Sequence, residues 1–193
     1  DHDLKLEDFN SSDLKLSLKR VSNDTYLKVF DQHITKSSLR PENFDNLNSS
    51  LKLFLNHEDF TFETGIQSFE DLQIENKSDR YQYNLPYYNY NKLVEQDYFN
   101  GTIDFNSNGN NYLSETNKLE TNIINNFNYN STDYISDFGL KNNFSLSLKN
   151  LNSIGKKTSQ YKSNPQMEIS SLFNVDFIMP LEKKSNNSNN ILI

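Results

Sequence analysis

Three histidines, at positions 2, 33 and 57, have the widest chemical repertoire in this chain, and they stand far apart without a Ser or carboxylate at consistent spacing. A histidine needs an orienting partner to act as base or metal ligand, so neither a catalytic triad nor a metal site is expected. Cysteine is absent, which removes a thiol nucleophile, a zinc-thiolate site and a disulfide framework. With five glycines in total, no glycine-rich phosphate cradle can be assembled. The carboxylate pairs Glu58-Asp59 and Glu70-Asp71 fall at strand ends and read as solvated rim charge. Asn-x-Ser/Thr triplets such as Asn10-Ser11-Ser12 are expected by chance in so Asn-rich a chain. No residue is assigned a catalytic role and no cofactor is implied.

Two short segments have more specific content. In Arg20-Val21-Ser22-Asn23-Asp24-Thr25-Tyr26-Leu27-Lys28-Val29-Phe30, the side chains of Ser22, Asn23 and Asp24 can bond nearby backbone amides. They favour a sharp turn or bulge between strands at Leu14–Val21 and Tyr26–Phe30. Arg20 is placed to pair with Asp24 across that turn. In Leu85-Pro86-Tyr87-Tyr88-Asn89-Tyr90, the tyrosines suit either a sugar-stacking platform or an interfacial aromatic girdle.

The elements that must position these residues follow from a period of two. Even positions from Tyr134 to Leu148 include Phe138, Leu140, Phe144 and Leu146, and odd positions from Met167 to Met179 include Ile169, Phe173, Val175 and Phe177. The intervening residues are mostly Ser, Asn, Asp and Lys, the pattern of strands with one apolar and one polar face. The same rhythm recurs at Leu14 to Leu18, Leu51 to Leu55, Phe60 to Ile66, Tyr81 to Leu85 and Ile103 to Phe105. Eight or more strands are expected, joined as an antiparallel meander with reversals at Asn106–Asn111 and Asn130–Asp133.

Composition limits what those strands can build. The chain has 193 residues, a formal charge of −7, 34% hydrophobic and 13% aromatic residues, and no Ala or Trp. Its mean hydropathy of −0.81 leaves little material for a large dry core, while the aromatic content argues against simple disorder. Asn and Lys fill the space in the manner of an AT-rich coding sequence. Lys is scattered, giving no nucleic-acid footprint. No run approaches the ~18 apolar residues of a membrane helix. Alternating runs as long as Tyr134–Leu148 exceed the roughly five or six residues of an average strand and suit a membrane barrel, whose strands need about 9–11.

The two segments also resemble a known family. Arg20 to Phe30 is similar to the R-x-S-D-D-x-Y-(L/F)-x-x-(F/Y) signature in the barrel of the lipopolysaccharide-assembly outer-membrane proteins (LptD, also OstA or Imp), with Asn23 where the signature has Asp. Leu85, Pro86 and Tyr90 resemble its L-P-x-x-x-Y segment. Pro180 and Leu181, after Phe177-Ile178-Met179, resemble its strand ending in Pro-Leu. Arg20, Ser22, Asp24 and Tyr26 are the matching positions of the first motif.

The resemblance implies that residues 1–193 are an internal piece of a large C-terminal transmembrane β-barrel, cut at both ends, in the bacterial outer membrane. It implies transport of lipopolysaccharide to the outer leaflet without chemistry on the ligand. Its implied partners are lipopolysaccharide, an LptE-like lipoprotein plug, a periplasmic bridge protein and the outer-membrane insertion machinery. From the usual short periplasmic turns and long outer loops, Lys156-Lys157 and Asn106–Asn111 are expected outside and Asn130-Ser131 in the periplasm. Two other classes fit the pattern: a porin or receptor-type barrel for small solutes, and a secreted Asn-rich β-sandwich that binds glycans.

Overall fold

The computed structural model describes residues 1–30, 33, 44–75, 77–96, 100–179, 182–184 and 190–192. Its strands are β1 (His2–Asp3), β2 (Ser11–Ser17), β3 (Asn46–Asn56), β4 (Phe60–Asp71), β5 (Tyr81–Gln96), β6 (Gly101–Ser114), β7 (Lys118–Ser131), β8 (Tyr134–Ile135), β9 (Lys141–Lys156) and β10 (Gln166–Ile178). These form one antiparallel sheet of ten strands, ordered as in the sequence, with β8 beside β9 and the path open at β1 and β10. Separately, β11 (Glu182–Lys184) pairs antiparallel with β12 (Asn190–Leu192), and the short helical turns α1 (Tyr26–Val29) and α2 (Lys77–Arg80) lie in the connections. The all-β meander expected from the alternation is what forms.

From β3 to β10 the seven long strands run 11, 12, 16, 14, 14, 16 and 13 residues. Their registers put Leu14, Leu53, Thr64 and Tyr88 on one face, and Phe105, Phe127, Leu148, Phe173 and Val175 on that same face further along the sheet. The opposite face has Lys15, Lys52, Glu63, Asn89, Asn108, Asn126, Ser145 and Asn174. Among the described residues no second large sheet covers the apolar face. Phe173 and Phe177 remain 62% and 67% exposed, so the described residues hold no two-layer core. The buried apolar cluster is small, comprising Leu27, Leu47 and Leu72 with Val21 and Phe44 against it.

The apolar band crosses the strands obliquely. One row of paired residues runs from Ser12 and Leu55 through Phe62, Tyr90 and Ser107 to Asn125, Asn150 and Ile169. On β2 and β3 the band, Leu14 and Leu16 with Leu51 and Leu53, lies on the β2 C-terminal side of this row. On β9 and β10 the band, Phe144 and Leu146 with Phe173 and Val175, lies on the other side. The drift is about 1.3 residues per strand, which at ~3.3 Å per residue and ~4.8 Å between strands inclines the band by about 40°.

Three local expectations are corrected. Asn106–Asn111 is not a reversal but lies inside β6. Its polar-face amides are satisfied across strands: Asn106 donates to Asn91 and accepts from Asn126, and Asn84 donates to Asn110 at 3.1 Å. Tyr134–Leu148 is not one strand. Gly139 takes a φ of 86°, and the Ser136 hydroxyl accepts from the Leu140 amide at 3.1 Å, so Phe138 and Leu140 sit in a turn between β8 and β9. The third correction concerns Tyr26–Phe30, where Asn23 accepts from the Thr25 amide and the Tyr26 and Val29 amides fold back onto Asn23 and Thr25. That local bonding winds a helical turn instead of a strand.

Candidate functional site

The residues of the first motif gather at one end of the sheet, where residues 18–30 fold onto the apolar face. Ser49 holds its start: the Ser49 hydroxyl accepts from the Lys19 amide at 3.0 Å and donates to the Lys19 carbonyl at 3.2 Å. Leu27, on the inner side of α1, packs on Leu47 and Leu72. The residue that locks this segment is one that the sequence reading missed. Arg80, at the end of α2, donates to both carboxylate oxygens of Asp24 at 2.9 and 2.6 Å and, through Nε, to Glu70 at 2.8 Å.

Arg80 replaces Arg20 as the partner of Asp24, and Arg20 is exposed. The Arg80 guanidinium is held far above its ordinary range, first by the hydrogen bonds it donates to Asp24 and then, against the cost of burial, by the charge of Glu70. Glu70 is therefore not a solvated rim charge; it also accepts from the Tyr81 hydroxyl at 3.0 Å. A signal for Arg80 was present in its rarity, since only Arg20, Arg40 and Arg80 occur. Its distance along the chain from Asp24 hid the pairing.

Around this clamp lies a pocket of about 730 Å³ bordered by Arg20, Ser22, Asp24, Ser68, Glu70 and Arg80. Ser22 is exposed there, and Tyr26 opens α1 with its ring 4.8 Å from that of Phe30. Leu85 of the second motif reaches the same end of the sheet, in an apolar depression of about 390 Å³ shared with Leu16, Leu18, Leu51, Ile66 and Tyr83. Leu85 and Pro86 form a bulge in β5, where the pairing skips from Asn84 to Tyr87. A bulge is where a strand admits a proline without losing a ladder bond. The Asn111 side chain spans it, donating to the Leu85 carbonyl at 2.5 Å and accepting from the Thr121 hydroxyl at 2.7 Å.

The tyrosine run is split between the faces. Tyr90 lies on the apolar face with its ring 5.6 Å from Phe60 and 6.1 Å from Phe105. Tyr87 turns to the polar face and donates to Glu63 at 2.8 Å. A continuous stacking platform is thus not formed. Pro180 and Leu181 lie outside the described residues.

The polar face has a groove of about 580 Å³ bordered by Asp104, Asn106, Asn126, Asn128, Lys149 and Ser170. Amides and hydroxyls of this kind hydrogen-bond to sugars and water and contain no nucleophile paired with a base. Among the described residues no group of three or more His, Asp or Glu could hold a metal.

No family model and no curated protein matches the chain. The site must therefore be judged on its geometry and on the motifs quoted above.

Proposed function

We propose that this chain is a stretch of the wall of a large outer-membrane β-barrel of the lipopolysaccharide-assembly (LptD-like) type. The observation that supports this reading most is the oblique apolar band. If the band lies in the membrane plane, the strands tilt by about 40°, within the ~35–45° of outer-membrane barrels. Strands of 11 to 16 residues have the length to cross at that tilt, and the bare apolar face is the one lipid would cover.

Connection lengths support the same orientation. The links between β2 and β3, β4 and β5, and β9 and β10 fall at one end of the sheet and include the longest, from Ser17 to Asn46. The first end also has the short link from Ser114 to Lys118, and the opposite end has the short links from Asn56 to Phe60 and from Gln96 to Gly101 and the link from Ser131 to Lys141 that holds β8. We place the first end outside and the second in the periplasm.

In this reading the polar face lines the lumen and passes the saccharide, while acyl chains stay with the lipid. The piece supplies wall, without chemistry on the ligand. An LptE-like lipoprotein plug would meet the polar face, a periplasmic bridge protein would deliver the lipid, and the insertion machinery would assemble the whole. The two motifs favour lipid export over the small-solute barrel.

The test is depletion of the full-length parent in its own cells. Lipopolysaccharide should disappear from the cell surface and accumulate on the inner side of the envelope, with small-solute uptake retained. Normal surface lipopolysaccharide with lost solute uptake would favour a porin instead. Parent protein that stays folded in water without detergent would favour the glycan-binding sandwich.

A further inference from the structure

We propose that the segment from Leu18 to Phe30 is a membrane-surface anchor, seated against the headgroup layer of an anionic lipid leaflet; the proposal rests on the barrel reading above. Its place in the fold sets its depth. The segment packs through Leu27 on Leu47, and Leu47 lies six residues along β3 from Leu53, which is near the centre of the apolar band. At ~3.3 Å per residue and a tilt of about 40° that is ~15 Å along the membrane normal, half of the ~30 Å hydrocarbon thickness. The segment therefore sits at the boundary between acyl chains and headgroups, on the side of the sheet that faces lipid.

Its surface has the composition such a boundary selects. Leu27 faces inward at 4% exposure, while Leu18 and Val29 are 76% and 69% exposed and Tyr26 and Phe30 are both 41% exposed. In a water-soluble loop these four large apolar side chains would be a cost; at the acyl boundary they continue the apolar face. Tyr26 is amphipathic in the manner of interfacial tyrosines. Lys19 and Arg20 stand beside them and make no ion pair among the described residues, so their charges are available to phosphate groups of lipid at this level. Their aliphatic stems suit the same depth.

The segment is also held rigidly enough to act as an anchor. Ser49 ties both backbone groups of Lys19, Arg80 clamps Asp24, and Lys28 reaches Asp45 at 2.6 Å. Together with Leu27 these ties fix the segment against the sheet, while Leu18, Tyr26, Val29 and Phe30 stay exposed and Lys19 and Arg20 stand at the border of the clamp pocket.

The experiment uses the full-length parent, freed of other reactive cysteines, in lipid nanodiscs containing phosphatidylcholine with or without phosphatidylglycerol. A bimane probe is placed at Val29→Cys, at Phe173→Cys on the apolar face and at Lys149→Cys on the polar face. Shallow spin-labelled lipid should quench the Val29 probe, and quenching should increase with phosphatidylglycerol; Lys19→Glu with Arg20→Glu should abolish that increase. The Lys149 probe should respond to aqueous iodide alone. Lipid quenching at Phe173 with only iodide quenching at Val29 overturns the anchor and leaves the barrel standing. No lipid quenching at either position overturns both. Quenching at Val29 that is indifferent to phosphatidylglycerol overturns the anionic-headgroup part.

Discussion

Arg80 grips Asp24 with both terminal guanidinium nitrogens, at 2.9 and 2.6 Å, although 56 residues separate the two in the chain. The same side chain reaches Glu70 of β4 through Nε. A planar fork with five donors can serve two carboxylates at once, which the point charge of a lysine cannot. The connection after β2 is thereby tied to the ends of β4 and β5, and the exposed apolar residues of α1 are held in one orientation.

Removing the fork should open this end of the sheet. The Arg80 side chain is 10% exposed and that of Glu70 16%, against 50% for Asp24. Arg80→Ala strands a mostly buried carboxylate and should cost about 3 kcal/mol locally. Asp24→Asn should cost about 1 kcal/mol, because Arg80 keeps Glu70. Arg80→Lys should fall between them. Hydrogen exchange of the α1 amides in the full-length parent measures this, and unchanged exchange in Arg80→Ala would remove the clamp from the account.

A pH effect follows from the neighbouring tie. Hydrogen bonds from Lys28, then Gln73, hold the Asp45 carboxyl below its ordinary value of 3.8. A carboxylate favoured by the fold adds stability that is complete above its unfolded value and is lost as pH falls through the lower folded value. The difference in α1 exchange between the native protein and Asp45→Asn should therefore be constant from about pH 8 to about pH 5 and vanish below that acid range. A difference that persists in strong acid would show that Asp45 acts through something other than its charge.

Two glycines should respond in opposite ways. Gly65 of β4 has no room for a Cβ, which would meet the Leu51 carbonyl oxygen and the Tyr87 ring. Gly65→Ala should cost about 1–3 kcal/mol by forcing the strands to shift. Gly139 adopts a φ of 86° in open space, so Gly139→Asn, a residue that tolerates the left-handed region, should cost only a few tenths of a kcal/mol. Urea midpoints of the refolded parent in detergent compare the two. Equal midpoints would show that β3 and β5 do not approach Gly65 this closely.

How far the sequence was legible depended on where the deciding contacts lie. The alternation from Met167 to Met179 gave β10 almost residue for residue, because period two is a local property of an extended chain. It misled at Tyr134–Leu148, where Ser136, Phe138 and Leu140 continue the rhythm by accident while Gly139 and the Ser136 hydroxyl turn the backbone. Asn106–Asn111 has the residues of a turn, yet Asn106 and Asn110 on its polar face find partners on neighbouring strands that no local reading shows. Arg20 was assigned to Asp24 because it is four residues away; Arg80 was missed because only the folded sheet brings it there. The oblique band was hidden for the same reason, since it exists only once the registers are known.

The two faces should differ in their tolerance of charge. Leu146 lies within the apolar band between Tyr129 and Phe173, whereas its neighbour Ser145 lies on the polar face between Asn130 and Asn174. Leu146→Arg should cost about 2–4 kcal/mol if the position is near the bilayer midplane, and Ser145→Arg should cost little because lumen water solvates it. Heat-modifiable folded parent in outer-membrane fractions reports both. Equal loss in the two variants, or none in either, would mean that the apolar face does not meet lipid.

The tilt itself can be measured through Leu53 of β3 and Val175 of β10. On the residue rows of the sheet, Leu53 lies on one side of the row through Leu55 and Ile169 and Val175 on the other. The offset is about eight residues, or ~26 Å at ~3.3 Å per residue. Strands standing parallel to the membrane normal would hold the two positions at depths differing by that whole distance. Strands tilted by about 40° bring both to nearly the same depth, because the drift of the band compensates the offset. Spin labels at Leu53→Cys and Val175→Cys in the full-length parent, read by their relative accessibility to oxygen and to a polar nickel chelate, should report depths within a few ångströms of each other. Depths that differ by 20 Å or more would rule out the membrane plane along the band and, with it, the barrel orientation assigned to this sheet.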